Sequence, residues 1–267
     1  MQTQVSSPTH HGQYGGARGY GSGMVATHTV STCAISYEAD GRTMIGTLAV
    51  PDGSGRAAGV LVCHEGPGLD DHARSIAARL AAEHGYVAFA LDYHGRGEWL
   101  PDRDQMMARI GELSVDPVRT RALGTAGLEI LCAEPRTDPD RLAAIGYCFG
   151  GTVAFELARS GADLKAVVGF HAGLGTARPE DARNIRGKVL ALIGADDPIV
   201  PVEQRRAFEE EMTAGGVDWM LTIYGGAEHS FTRPGAETIG MPGIRYHEPT
   251  DRRSWRAMAD LFDEALA

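Results

Sequence analysis

The stretch Ala144-Ile145-Gly146-Tyr147-Cys148-Phe149-Gly150-Gly151 decides how this chain is read. It contains G-x-C-x-G, with an apolar run before it and a helix-forming run after it. A strand that turns at once into a helix around a nucleophile has this form, here with sulfur in place of oxygen. So tight a turn crowds the side chains two residues either side of the nucleophile, and glycine relieves the crowding. Cys148 then stands at a helix N-terminus, where backbone N–H groups and the dipole favour negative charge. The Phe149 N–H becomes a donor for an oxyanion. A cysteine in a glycine-rich turn is in general more often an inert core residue. The flanking context reverses that for Cys148 and leaves Cys33, Cys63 and Cys132 structural.

Outward from this turn, the strand is read as Arg141–Tyr147 and the helix as Phe149–Ser160. Upstream, Thr32–Tyr37 and Thr43–Val50 read as strands joined at Asp40-Gly41, a hairpin signal. Gly59–His64 and Tyr86–Leu91 are short apolar runs of the buried parallel type. Ser75–His84, Asp102–Ile110 and Val118–Cys132 have helical spacing. Downstream, Leu164–Phe170, Lys188–Gly194 and Val217–Tyr224 read as strands, with helices at Val202–Thr213 and Arg252–Leu266. A hairpin followed by alternating strands and helices predicts an α/β fold: a mostly parallel central sheet with an N-terminal antiparallel hairpin and helices on both faces. Residues 27–267 are expected to form one domain. Residues 1–24, rich in Gly, Ser, Gln and Tyr, cannot offset ordering entropy and are expected to be disordered. His10 and His11 in that tail read as polar linker rather than metal ligands.

A nucleophile elbow of this kind is followed along the chain by its acid and then its histidine. Gly194-Ala195-Asp196-Asp197-Pro198-Ile199-Val200-Pro201 follows a strand and offers the acid at a sheet edge where such sites are built. Asp197 is preferred for its register three residues past Gly194, leaving Asp196 as a turn or cap. Gly225-Gly226-Ala227-Glu228-His229-Ser230-Phe231 follows the last strand. His64, His94 and His171 also follow strands, so chain order, not position, selects His229. Its expected role is to take the thiol proton and return it to the leaving oxygen, with Asp197 orienting the ring.

Composition narrows the class. The 267 residues are 43% hydrophobic and 22% charged, with a formal charge of −10 and no basic stripe. Nucleic-acid binding, which needs clustered Lys and Arg, is not expected. No apolar run is long enough for a membrane span, and the first residues lack the apolar stretch of a secretory signal. The four cysteines form no zinc spacing, and a chain this long does not need disulfide staples. A reduced, cytoplasmic protein is expected, without metal or organic cofactor, as a monomer or small homo-oligomer.

Four segments together resemble the dienelactone hydrolase (carboxymethylenebutenolidase) family of α/β-hydrolases: H-E-G-P-G-L at 64–69, G-Y-C-F-G-G at 146–151, G-A-D-D-P-I-V-P at 194–201 and A-E-H-S-F-T-R at 227–233. The resemblance runs from about Tyr37 to the C-terminus. It implies the α/β-hydrolase fold and four further roles. Glu65 matches a glutamate that pairs with the resting cysteine and is displaced by substrate. Gly66 matches the residue whose N–H completes the oxyanion hole. Arg96 and Arg233 match two arginines that hold a substrate carboxylate, a task suited to the guanidinium fork. Each arginine by itself reads more readily as a surface residue, and only the two at matching places bring the carboxylate-binding reading level with that one; Glu65 also reads as an N-terminal charge near the following helix. The chain departs from the family at Gly66-Pro67, where Ile-Phe is frequent. It also carries Glu98 and Trp99 beside Arg96, and a Pro- and Gly-rich segment at 234–249 that reads as a lid or rim.

The expected function is hydrolysis of a small ester or lactone, dienelactone-like, through a cysteine nucleophile and a thioester acyl-enzyme. The alternatives are a thioesterase, another esterase or a peptidase on the same triad, and a non-catalytic member of the fold that binds a ligand.

Overall fold

The computed structural model describes residues 27–267. The expectations for residues 1–24, and for His10 and His11, lie outside these residues. The chain opens with β1 (Val30–Ala39) and β2 (Arg42–Pro51). They are joined by Asp40 and Gly41, both with positive φ, the two-residue turn whose twist matches a hairpin. Then follow β3 (Ala57–Cys63), α1 (Asp71–His84), β4 (Val87–Leu91), α2 (Arg103–Ser114) and α3 (Pro117–Ala133). The second half runs β5 (Thr137–Tyr147), α4 (Phe149–Arg159), β6 (Ala166–Phe170), β7 (Lys188–Gly194), α5 (Val202–Ala214), β8 (Trp219–Tyr224) and α6 (Glu248–Ala265).

The strands form one sheet in the order β1-β2-β4-β3-β5-β6-β7-β8. β2 pairs antiparallel with β1 and β4, and every pairing from β4 through β8 is parallel. This is the mostly parallel sheet with an N-terminal antiparallel hairpin expected from the alternating pattern, and the α/β-hydrolase arrangement that the family resemblance implies. Alternate residues of each strand feed two cores. Leu61 and Cys63 of β3 pack with Leu123, Phe155 and Phe208 beneath α3, α4 and α5. Val60 and Val62 pack with Leu80, Trp255, Met258 and Phe262 beneath α1 and α6. Each large apolar side chain so buried contributes about 2 kcal/mol before the entropy of ordering is counted.

Boundaries differ from expectation where polar residues hide an element. α1 starts at Asp71 rather than near Ser75, because Asp70 caps it by accepting from the Ala73 N–H at 3.0 Å. β5 starts at Thr137 rather than Arg141, its polar first half pairing with β3 before a register shift at Ala58/Gly59. α6 starts at Glu248 rather than Arg252, since Pro249 suits the first turn of a helix.

The chain goes to one side of β3 to make β4 and to the other side to make β5. That reversal opens a crevice at the C-terminal ends of β3 and β5, where open α/β sheets place their ligands.

Candidate active site

β5 ends at Tyr147 and α4 begins at Phe149, so Cys148 alone makes the turn. Its backbone is left-handed, with φ 53° and ψ −122°, a conformation that costs about 1–3 kcal/mol and persists only when the surroundings enforce it. They do so by hydrogen bonds and by closeness. The Cys148 N–H donates to the Phe170 carbonyl at 3.1 Å, and the Cys148 carbonyl accepts from Gly151 N–H at 3.1 Å. A Cβ at Gly146 would overlap the Gly150 carbonyl, and one at Gly150 would overlap the carbonyls of Cys63 and His64. Backbone atoms cannot step aside as a side-chain tip can, so the turn requires glycine at both places.

Asp197 and His229 come from the loops after β7 and β8. His229 Nδ1 lies 2.8 Å from Asp197 Oδ2. Asp197 Oδ1 in turn accepts from the N–H groups of Ile199 at 2.8 Å and Val200 at 3.3 Å, which fixes the carboxylate. Both side chains are buried. Burial opposes charge on the imidazole, but the Cys148 sulfur and the Asp197 carboxylate outweigh it and push His229 up to about 10. Nε2, the other ring nitrogen, makes no conventional hydrogen bond. The loop after β3 brings Gly66 to the same place. Among the described residues, the N–H groups of Gly66 and Phe149 have no protein acceptor. A cavity of 790 Å³ opens over them, lined by Glu65, Gly66, Cys148, Phe149, His229 and Arg233 at its chemical end.

The family model for the dienelactone hydrolase family matches residues 44–266. The chain belongs to the dienelactone hydrolase family. A solved structure designated m3DLH is 47% identical and covers 89% of this chain and 99% of its own, with a TM-score of 0.86. A dienelactone hydrolase-like promiscuous phosphotriesterase from metagenomic libraries is 38% identical over 89% of this chain and 99% of its own, with a TM-score of 0.84. Relatives named as carboxymethylenebutenolidases include one from Synechocystis sp., 26% identical over 77% of this chain and 88% of its own. This dienelactone hydrolase-family protein is accordingly a carboxylic ester hydrolase.

Three residues matched to family roles stand differently in this dienelactone hydrolase-family protein. The Glu65 carboxylate is on Arg233 rather than on the thiol: Arg233 Nη1 donates to it at 2.6 Å, and Ser230 Oγ donates at 3.4 Å. The other arm of Arg233, Nη2, meets Asp70 at 2.7 Å. Arg96 does not line the cavity; its side chain is 80% exposed and lies 3.9 Å from Glu98. The cause is Asp92. Its carboxylate accepts from the N–H groups of Ile45, His94, Gly95 and Gly97, at 2.7 to 3.1 Å. That folds residues 95–97 into three consecutive positive-φ positions, and Arg96 leaves toward solvent.

Other contributors carried no readable signal. Tyr93 Oη donates to the His64 carbonyl at 2.5 Å, the Tyr93 and His64 rings stack at 3.6 Å, and His94 Nε2 lies 2.7 Å from the Gly66 carbonyl. Together they hold the loop that presents the Gly66 N–H. His171 packs edge-on to His229 at 5.0 Å and lies 2.8 Å from Thr232 Oγ1. The 234–249 segment is hydrogen-bonded to the histidine loop, with His229 N–H donating to Gly243 at 2.9 Å and Arg245 N–H to His229 at 3.0 Å. It contributes Ile239, Met241 and Ile244 to the cavity. No helix among the described residues is long and apolar enough to cross a membrane.

The buried histidines set a pH dependence of stability. Burial lowers His64 to about 3, with help from His94. Burial likewise lowers His72, His84, His94 and His171. Unfolded, these rings take up protons near 6.5; folded, they do not. Below that pH the unfolded state binds more protons, so stability falls with acidification. Asp251, raised to about 6 by burial, Glu211, also raised by burial, and His229, raised despite burial to about 10 by the Cys148 sulfur and Asp197, act in the opposite sense but are fewer than the five lowered rings. The midpoint of urea unfolding is expected to be lower at pH 5 than at pH 7. Equal midpoints would show that these rings are hydrated in the folded protein.

Proposed function

We propose that this hydrolase cleaves esters or lactones with Cys148 as nucleophile, His229 as acid–base and Asp197 as its orienting carboxylate. The observation that carries the reading is the buried Asp197–His229 contact of 2.8 Å, with the His229 ring lining the same cavity as Cys148 and raised by its sulfur. The Cys148 sulfur attacks the carbonyl carbon, and its proton resides on His229. The oxyanion is met by the N–H groups of Gly66 and Phe149, whose free donors need no rearrangement when charge develops. The carbon–oxygen bond breaks, and His229 protonates the departing alkoxide. Water, deprotonated by the same ring, then attacks the thioester, releasing the acid and restoring the thiol. In a lactone the alcohol and acid remain one molecule, an open-chain hydroxy or oxo acid. The reading needs no metal, and it places the reaction in whatever compartment keeps Cys148 reduced.

The Glu65–Arg233 ion pair has a place in this scheme. A glutamate held by the arginine leaves the thiol to His229, and this is the arrangement a reactive cysteine needs. A second reading comes from the 38% identical phosphotriesterase neighbour. A neutral phosphotriester such as paraoxon passes through a five-coordinate, trigonal-bipyramidal arrangement, but it too develops negative charge on an oxygen that the same N–H groups can meet, so it belongs in the same assay. The test is turnover of p-nitrophenyl acetate, p-nitrophenyl butyrate and paraoxon by the wild type and Cys148→Ala. Loss in the variant supports the reading, and equal rates overturn it.

A further inference from the structure

The cavity is much larger and more apolar than a small anionic lactone requires. At 790 Å³ it lies toward the upper end of the range for ligand sites. Beyond the chemical end its walls are Met106, Met107 and Ile110 of α2, Ile199 after β7, and Met241 and Ile244 of the 234–249 segment. The mouth continues in the same chemistry. Among the described residues, Trp99, Met107, Val115, Ile199 and Ile239 are large hydrophobics that are both exposed and part of the cavity lining. Apolar side chains gathered in this way around one opening mark a surface that meets apolar material.

The charges argue the same way. Arg233, the arginine at the chemical end of the cavity, is held between Glu65 at 2.6 Å and Asp70 at 2.7 Å. One positive charge between two carboxylates leaves the site net negative, so a substrate carboxylate there meets repulsion. Glu156, the other acidic residue of the lining, is already paired with Arg121 at 2.8 Å and Arg159 at 3.2 Å. Arg96 is turned away. The His229 imidazolium is offset by Asp197 and the Cys148 sulfur. Arg103 is the one remaining arginine of the lining; it begins α2 at the mouth and is exposed, where hydration and salt leave a lone charge little attraction.

We propose that the substrates are uncharged esters bearing an extended apolar chain or ring, and that a carboxylate on the substrate is selected against. This rests on the cysteine-hydrolase reading above and names its substrate class. The apolar group lies along α2 toward Trp99, while the carbonyl sits between Cys148 and the two free N–H groups.

The test compares p-nitrophenyl acetate, pentanoate and octanoate with the p-nitrophenyl monoester of glutaric acid, in which a carboxylate replaces the terminal methyl of pentanoate. With each buried methylene worth roughly a fewfold in kcat/KM, the octanoate is expected to exceed the acetate by about tenfold or more. The pentanoate is expected to exceed the glutarate monoester by a similar factor at low salt. Asp70→Asn keeps the cap of α1, since asparagine caps as well as aspartate, but frees one arm of Arg233. It is expected to narrow the pentanoate-to-glutarate ratio several-fold. A flat chain-length series, a glutarate rate equal to or above that of pentanoate, or a ratio unmoved in Asp70→Asn would overturn the proposal. Binding of the pentanoate and glutarate esters to Cys148→Ala, read by tryptophan fluorescence, ranks the pair without turnover. Tighter glutarate binding there sinks the substrate class even if the chemistry stands. Pentanoate-selective binding with no wild-type turnover supports the substrate class and instead removes the cysteine-hydrolase reading.

Discussion

Replacing Cys148 with alanine is expected to lower kcat/KM for p-nitrophenyl butyrate by about a thousand-fold or more, a loss of roughly 4 kcal/mol in transition-state stabilisation. The expectation comes from the shape of the elbow. Cys148 is the one side chain presented at the turn between β5 and α4, and the free N–H groups of Gly66 and Phe149 face the cavity it opens on. With the sulfur gone, those donors and the buried imidazole remain, so a residual rate above that of water should survive. Cys148→Ser restores a nucleophile of similar size. It is expected to keep a weak activity, because an imidazole tuned to a sulfur ion pair is a poor match for a hydroxyl. The same thermal midpoint in wild type, Cys148→Ala and Cys148→Ser would show that the loss lies in chemistry. A Cys148→Ala protein as fast as wild type would place the nucleophile elsewhere.

The largest expected effect on stability lies away from the sulfur. Arg159 is fully buried at the C-terminal end of α4. It donates to both oxygens of Glu211 on α5 at 2.7 and 2.9 Å, to Glu156 at 3.2 Å and to the Leu174 carbonyl at 3.2 Å. Glu156 also accepts from Arg121 of α3 at 2.8 Å, and Arg121 reaches Asp181 at 2.6 Å. The guanidinium thus ties together the helices that carry the nucleophile and cover one face of the sheet. In Arg159→Met, Glu156 keeps Arg121, but Glu211 loses the one cation it pairs with among the described residues. Stranding one member of a buried pair costs about 3–5 kcal/mol, which for a chain of this size corresponds to a fall of roughly 6–20 °C in Tm. Burial already raises Glu211, and Arg159 opposes that. Without Arg159 the folded protein holds a proton on Glu211 more tightly than the unfolded chain does. That contribution is present at low pH and is lost as pH rises, so the variant should be less impaired at pH 5 than at pH 8. Adding Glu211→Leu should recover part of the loss. A variant that melts with the wild type would mean that water reaches this network.

The fold was legible because local chemistry and global topology agree. Asp40-Gly41 can turn a hairpin by itself, the apolar runs of β3 and β4 can lie only in a doubly covered sheet, and Gly146 and Gly150 announce a turn that no other residue fits. Asp197 and His229 were legible for a different reason: chain order in this fold assigns their loops to one sheet edge. What stayed hidden depends on side-chain direction or on distant partners. Arg96 matches a family position in register, yet the Asp92 carboxylate gathers the surrounding N–H groups and turns it to solvent. The Glu65–Arg233 pair joins residues 168 apart, and no spacing rule anticipates it. The apolar wall was missed because Met106, Met107 and Ile110 lie on a short, weakly patterned helix, where methionine reads as ordinary core. Polar first turns likewise concealed the starts of β5 and α6.

The most direct measurement is peptide mapping of the wild-type protein quenched in acid during turnover of p-nitrophenyl acetate. A single acetyl group is expected, on the peptide containing Cys148, released by neutral hydroxylamine as a thioester is. An acetyl group on another side chain, with the Cys148 peptide unmodified, would contradict it.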